Sequence, residues 1–141
     1  MSDEAAGQVV AVVDAVAFDC GDPVRVGRFW QLLLGGELRR DQDGVVELRG
    51  GRVRLDFARV PEGKQVKNRV HLDLRVPPDA KEQAIANALR LGASVALDIY
   101  DGDLWRTMRD PEGNEFCFVW GAGSSRTEPL DPADPLDAAD S

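Results

Sequence analysis

The sequence contains few of the residues from which catalytic and metal sites are usually built. Its 141 residues include one histidine, two cysteines and one tyrosine. Cys20 and Cys117 are far apart, so no CxxC pair supports a zinc knuckle. There is no GxxxxGK phosphate loop, no GxGxxG after a strand and no elbow motif around a serine. These absences leave no motif for a phosphate-binding loop, a cysteine zinc site or a serine nucleophile.

Basic residues are also scarce. Seventeen Lys and Arg stand against 25 Asp and Glu, which gives a formal net charge of -8. The arginines are scattered among carboxylates, and nucleic-acid binding needs clustered cations, so no nucleic-acid partner is expected. No apolar run approaches the roughly 20 residues of a membrane span, and MSDEAAGQ lacks the basic start and apolar run of a signal peptide. We therefore expect a cytoplasmic protein with no membrane partner, in which both cysteines are buried thiols.

The composition predicts one domain followed by a tail. With 43% hydrophobic residues the chain can bury a core of ordinary size. The last segment, GAGSSRTEPLDPADPLDAADS, is rich in Pro, Asp, Ser and Ala and has little to pack. We predict a folded domain over 1–121 and a disordered acidic tail over 122–141.

The first half of the domain has the pattern βαβββ. Residues 9–20 suit a long first strand, and Asp22-Pro23 supplies an N-cap with proline at the first helical position. Apolar residues then recur at helical spacing until Gly35-Gly36. Turn signals separate three further strands, predicted near 37–41, 45–49 and 52–60.

The second half repeats this pattern. From Asn68, apolar residues at 70, 72, 74 and 76 alternate with His71, Asp73 and Arg75, as in a strand with two different faces. Asp79 and Glu82 predict a capping box for a helix that stops at Gly92. Strands are predicted near 94–99, 104–109 and 115–120. The repeat predicts an α+β fold with two modules, about 9–61 and 68–120, that form one curved mixed sheet with an open concave side.

Three stretches carry a resemblance to a known family. AVAFDCGDPVRVGRFWQLLLGGEL and KNRVHLDLRVPPDAKEQAIANALRLGA resemble the first strand and helix of each module in vicinal-oxygen-chelate proteins, the superfamily of glyoxalases, bleomycin-resistance proteins and related dioxygenases. RDPEGNEFCFV is similar to the family's turn into its last strand. The resemblance covers roughly residues 9–120 and implies two paired βαβββ modules that form a U-shaped cavity and, by analogy, a homodimer.

The resemblance also implies where a metal site would lie. Metal-dependent members use four ligands, one from the first and one from the last strand of each module. In the second module these positions fall on His71 and Glu115; in the first they fall on Ala15 and on Val53 or Leu55, which cannot coordinate an ion. Two protein ligands are fewer than a catalytic ion usually keeps, so no metal or other cofactor is expected and His71 and Glu115 are vestigial positions. A divalent metal completed by a neighbouring carboxylate is the alternative.

Several residues are predicted to face the cavity. His71 is either a ligand-binding or acid–base group or a polar residue that bonds Glu115. The pKa of a carboxyl such as Glu115 rises in an apolar cavity unless a cation pairs with it, so Glu115 is a candidate general base or the partner of an arginine. The predicted ligand-binding residues are Asp73, Arg75, Trp105 and Phe57.

Three functions remain open from the sequence. The first is binding of a small, aromatic or amphipathic molecule without a complete metal site. The second is a glyoxalase-like lyase, an isomerase or a dioxygenase-like enzyme that uses His71 and Glu115. The third is an accessory domain whose cavity is filled by its own side chains. Fold alone does not decide among them, because one scaffold hosts many chemistries.

Overall fold

The computed structural model of the protein describes residues 11–99, 102–121 and 128–135. Its elements follow the order predicted from the sequence. They are β1 (Ala15–Cys20), α1 (Pro23–Leu34), β2 (Glu37–Arg40), β3 (Val46–Arg49), β4 (Arg54–Arg59), β5 (Leu72–Arg75), a 3-10 helix (Pro78–Ala80), α2 (Lys81–Arg90), β6 (Ser94–Val95), β7 (Trp105–Arg109) and β8 (Glu115–Val119).

The strands form two sheets with the same topology. The first has the order β1-β4-β3-β2 and the second the order β5-β8-β7-β6. In each sheet the first and last strands of the module pair in parallel and the other pairs are antiparallel. This is the predicted α+β fold with two βαβββ modules, each of which has its own four-stranded mixed sheet.

Helix α1 is built as its sequence signals predict. The Asp22 side chain caps it by accepting a hydrogen bond from Arg25 N at 3.2 Å, and Pro23 occupies the first turn. The helix ends before Gly35, whose positive φ of 81° is a conformation that L side chains rarely adopt. Phe29 and Trp30 lie on its buried face, which joins the two modules through contacts between their rings and Phe116.

Some element boundaries differ from the predicted ones. Strand β1 begins at Ala15, where a strand from residue 9 was predicted. Residues 11–14 are not in a strand, and residues 9–10 lie outside the described residues. Strand β6 ends at Val95, where a strand to 99 was predicted. The predicted capping box was wrong: Asp79 lies within the 3-10 helix, and α2 begins after Ala80 without a side-chain cap.

The predicted orientation of β4 was also wrong. Leu55 and Phe57 are buried, and Phe57 packs against Phe18 with ring centroids 5.1 Å apart. Because side chains alternate along a strand, Arg54 and Asp56 point to the open face instead. Phe57 is fully buried, and α1 presents Gly27 to the sheet nearby, where an added Cβ would lie only 3.0 Å from Val46.

Three further predictions concern the cysteines, membrane-spanning helices and the C-terminal tail. Cys20 and Cys117 are both buried, and neither is in a disulfide. No helix within 11–99, 102–121 and 128–135 has the length and apolar character needed to cross a membrane. Most of the predicted tail lies outside the described residues, and 128–135 contain neither helix nor strand.

Candidate ligand site between the two modules

A cleft of about 370 Å³ lies between the two modules. Strand β1 forms one wall, and the segment that connects the modules, residues 60–71, forms another. Its lining is both apolar and charged: Val16, Ala17, Phe18, Asp19, Cys20, Val60, Glu62, Gly63, Lys64, Asn68, Arg69, Val70, His71, Leu72, Glu112, Asn114 and Glu115. Of the six site residues predicted from the sequence, His71 and Glu115 line this cleft.

Glu115 is held in place by three donors. Its side chain is 1% exposed, and its carboxylate accepts hydrogen bonds from Lys64 Nζ at 2.9 Å, Asn68 N at 2.8 Å and Arg109 Nε at 3.1 Å. Arg109 also binds the carboxylate of Asp98 at 2.8 Å, which fixes the guanidinium from its other side. Glu115 is therefore the centre of a charged network, which we call the Glu115 network: Lys64, Asn68, Asp98, Arg109 and Glu115.

These contacts decide the ionisation of Glu115. Burial favours the neutral carboxyl and acts to raise its pKa, but the Asn68 N–H, Lys64 and Arg109 outweigh burial and hold the pKa below its usual value of 4.5. Of the two alternatives left open by the sequence, the structure has Glu115 paired with an arginine. A carboxylate with a lowered pKa is a weak base, and its donors would have to be displaced before it could accept a proton.

His71 lies just before β5 and reaches solvent. Its Nε2 is 3.1 Å from Asp73 Oδ1, so its described partner is Asp73 and not the predicted Glu115. Asp73 is exposed and pairs across the sheet with Cys117. His71, Asp73 and Cys117 thus form a group on the open face of the second sheet.

The other predicted ligand-binding residues lie outside the residues that line the cleft. Arg75 donates to the Gly121 carbonyl at the far end of β5. Trp105 starts β7, and its ring covers Gly102 so closely that a Cβ there would collide with it. Phe57 belongs to the core of the first module. Their predicted role in ligand contact has no support from the position of this cleft.

The pairing of strands identifies the four metal positions that the resemblance implies. Val16 pairs with Leu55 and Leu72 pairs with Phe116, each pair pointing into the core. One residue earlier, Ala15 pairs with Arg54 in the first module, and His71 and Glu115 occupy the equivalent positions in the second.

The assignment of Val53 or Leu55 to the first module's last-strand position was therefore wrong, and Arg54 takes that place. Its guanidinium binds Asp56 at 2.8 Å and Asp14 at 3.0 Å. An alanine, a cation and a carboxylate already engaged by three donors do not fit a four-ligand metal site.

Three residues of the site were missed by sequence reasoning. Lys64 and Asn68 lie in the connecting segment, which has no periodicity to indicate where its side chains point. Glu112 lies in the turn before β8, where its carboxylate accepts hydrogen bonds from Gly21 N at 2.8 Å and Asp22 N at 2.7 Å. The acidic residue in a DPEGN turn was the available signal for Glu112, but only the fold brings it to the start of α1.

Comparisons with known proteins agree with this architecture. A glyoxalase/bleomycin resistance protein/dioxygenase family enzyme from Burkholderia phytofirmans superposes with a TM-score of 0.63 at 20% identity, covering 77% of this chain and 97% of that one. The fosfomycin resistance protein FosX from Listeria monocytogenes, in a complex with manganese(II) and dihydroxypropylphosphonic acid, gives 0.66 at 9% identity, covering 82% and 94%. A hypothetical protein from S. aureus gives 0.64 at 15% identity, covering 82% and 96%.

At these identities the structural likeness shows the fold alone. No curated protein matches the sequence. The sequence itself matches the glyoxalase-like domain over residues 15–119, from the first residue of β1 to the last residue of β8. The chain therefore belongs to the glyoxalase-like domain family.

Proposed function

We propose that the protein binds a small amphipathic or aromatic molecule in the cleft between its modules, without the four-ligand metal site of the superfamily. The observation that carries this proposal is the cleft itself, an open space of about 370 Å³ whose walls come from both modules. A volume of about 300–1,000 Å³ is typical of sites for small molecules. The open cleft also argues against an accessory domain whose cavity is filled by its own side chains.

The lining supports an amphipathic ligand. Val60 and Val70 of the connecting segment supply apolar surface, and the half-buried Val16, Phe18 and Leu72 add only the parts of their side chains that the core leaves uncovered. Asp19 and Glu62 add exposed carboxylates, and His71 adds a group that both donates and accepts hydrogen bonds. A ligand with an apolar body and one polar end fits this distribution better than a uniformly charged one.

The cleft gives weaker support to the alternative function, catalysis by His71 and Glu115. The lowered pKa of Glu115 and its three donors leave it poorly suited to take a proton. FosX carries manganese(II) in its complex, but in this chain the four positions that the resemblance implies include Ala15 and Arg54. The superfamily's metal chemistry is therefore not part of the proposed function.

The proposal includes a cytoplasmic homodimer. Val12 and Val13, which precede β1, are 84% and 76% exposed, and Val70, which lines the cleft, is 75% exposed; exposed apolar groups of this kind favour association. Light scattering coupled to size-exclusion chromatography measures the mass directly. A mass of one chain of 15.4 kDa across the micromolar range would contradict the dimer.

A ligand screen tests the binding proposal. A panel of amphipathic and aromatic compounds is added to the full chain, and the melting temperature is followed, because any ligand that binds only the folded state raises it. Compounds that raise it are then titrated by calorimetry for a 1:1 stoichiometry. Saturable binding that protects His71 from chemical modification supports the cleft as the site. Binding that leaves His71 fully reactive, or no binding across the panel, would contradict the proposal.

A further inference from the structure

We propose that His71, Asp73 and Cys117 form a binding site for a borderline divalent cation, such as zinc, on the open face of the second sheet. One ligand atom from each side chain can be chosen so that the three atoms lie within 4.8 Å of one another. This set shares His71 with the four positions implied by the superfamily, but Asp73 and Cys117 belong to none of them. The site goes beyond the proposed function, and it shares His71 with the lining of the cleft.

The strand pairing brings the three side chains together. Asp73 and Cys117 are partners across the parallel β5–β8 pair, so they lie side by side on the same face. His71 is two residues before Asp73 and shares that face because side chains alternate along the strand. Its Nε2 already lies 3.1 Å from Asp73 Oδ1, which orients the ring toward the carboxylate.

The distances suit a compact cation after a small adjustment. Zinc holds nitrogen and oxygen ligands at about 2.0–2.2 Å and sulfur at about 2.3 Å in a tetrahedral arrangement, so any two of its ligand atoms lie about 3.3–3.7 Å apart. His71 and Asp73 are exposed, so their side chains can rotate by the small amount required. Cys117 is buried and fixed, and would form the base of the site.

The donor set indicates which cations would bind. Imidazole, carboxylate and thiolate together suit zinc and cobalt and do not suit magnesium or calcium, which prefer oxygen ligands. Binding requires the Cys117 thiol to lose its proton to solvent, after which Thr107, whose Oγ1 is 3.4 Å from Cys117 Sγ, can donate a hydrogen bond to the sulfur. With three protein ligands, the fourth position stays open to water or to a small ligand.

Titration of the reduced, metal-free full chain with cobalt(II) tests the site. We expect one equivalent to bind and to give a thiolate-to-cobalt charge-transfer band that one equivalent of zinc removes. Cys117→Ser should abolish the band. His71→Ala and Asp73→Asn should each weaken cobalt binding by more than about tenfold. Losing a group that only supports a ligand already lowers metal affinity by at least about tenfold, and losing a ligand should lower it more. Cys20→Ser removes the other buried thiol and is the matched control, which should keep the band unchanged.

Two results would overturn the proposal. One is the absence of a charge-transfer band in the wild-type chain at a cobalt excess. The other is a band that survives in Cys117→Ser, since the thiolate must then come from elsewhere. If Cys117→Ser does not fold, alkylation of the wild-type chain decides the question: zinc should slow the modification of Cys117 at least about tenfold, whereas an equal rate with and without zinc would contradict the site.

Discussion

The indole of Trp30 donates a hydrogen bond to the carboxylate of Asp110, with Nε1 and Oδ2 3.0 Å apart. Trp30 lies on α1 of the first module and Asp110 begins the turn before β8 of the second, and both are buried. The other oxygen of Asp110 accepts from the backbone N–H groups of Glu112 and Asn114, each at 2.9 Å. The same carboxylate therefore shapes the turn and fastens it to the other module.

Trp30→Phe should lower the free energy of unfolding by at least the contribution of this hydrogen bond. A hydrogen bond to a charged group contributes about 1.5–3 kcal/mol, and the smaller ring also leaves space in the core. We expect a loss of at least about 1.5 kcal/mol in the free energy of unfolding, measured by urea denaturation.

Trp120→Phe is the matched control for that measurement. The Trp120 indole is also largely buried, but it donates to a neutral acceptor, the Asp103 carbonyl, at 3.0 Å within its own module. A bond between neutral groups contributes about 0.5–1.5 kcal/mol, so the control should lose less. Equal losses in the two variants would show that the charge on Asp110 adds nothing to the contact.

The Glu115 network predicts that replacing two nearby lysines, Lys64 and Lys67, lowers the free energy of unfolding by different amounts. Lys64→Met removes a 2.9 Å bond to a buried carboxylate and should cost about 1.5–3 kcal/mol in unfolding free energy. Lys67→Met is the control, because Lys67 is exposed and donates to the Asn68 carbonyl at 3.1 Å. Its effect should stay within about 0.5 kcal/mol, as for most surface substitutions. Equal stabilities of the two variants in urea would contradict the role given to Lys64.

The lowered pKa of Glu115 predicts how stability depends on pH. A carboxyl whose pKa is lower in the folded state contributes stability that is fully present above its ordinary value of 4.5 and is lost as the pH falls through the folded pKa. Glu115→Gln should therefore be less stable than the wild type at pH 7, and the difference should shrink below pH 4.5. The loss of unfolding free energy in Glu115→Gln should be smaller than the about 3–5 kcal/mol that breaking a buried ion pair costs. The reason is that Lys64 and Arg109 reach solvent, so neither charge is left buried without a partner. A difference that is constant from pH 7 to pH 3 in urea titrations would contradict this account.

The sequence predicts those parts of the fold that local chemistry decides. Asp22-Pro23 and Gly35 define α1 because a cap, a fixed φ and a positive φ each act within a few residues. The alternation around His71 likewise identified one solvent-facing side of β5, although Val70, predicted for the core side, is exposed because β5 begins only at Leu72. The sequence has the residue types of a capping box, but the cap does not form, because Asp79 lies in a 3-10 helix before α2 begins.

The site depends on contacts that no local pattern records. In β4 the apolar side chains of Leu55 and Phe57 suited either the core or an apolar cavity, and only the packing of α1 decides between them. The partners of Glu115 come from the connecting segment, 51 residues away for Lys64. Sequence reasoning could thus find His71 and Glu115 but could not find the network that fixes the ionisation of Glu115.

Burial should make the two cysteines less reactive than an ordinary thiol. Cys20 can be tested by itself. Burial, followed by the nearby carboxylates of Glu112 and Asp110, raises the pKa of Cys20 to about 11. Since the thiolate is the reactive form, iodoacetamide at pH 8 should modify Cys20 in native Cys117→Ser at least about a hundredfold more slowly than in the same chain in urea. Mass spectrometry of quenched samples gives both rates. Comparable rates would show that the thiol is neither buried nor disfavoured as an anion.

Narrowing the cleft tests where a ligand binds. Ala17 lines the cleft and is exposed on the open face of β1, so Ala17→Trp should fill part of the about 370 Å³ space without disturbing the core. We expect ligands found in the screen to bind at least about tenfold more weakly, a loss of about 1.4 kcal/mol in binding free energy.

Ala86→Trp introduces the same side chain at an exposed position of α2 and should leave the affinity unchanged. Calorimetric titration of both variants measures the dissociation constants, and circular dichroism checks that each is folded. If Ala17→Trp binds the ligand as tightly as Ala86→Trp, the ligand occupies another surface, and the walls formed by β1 and the connecting segment are not the binding site.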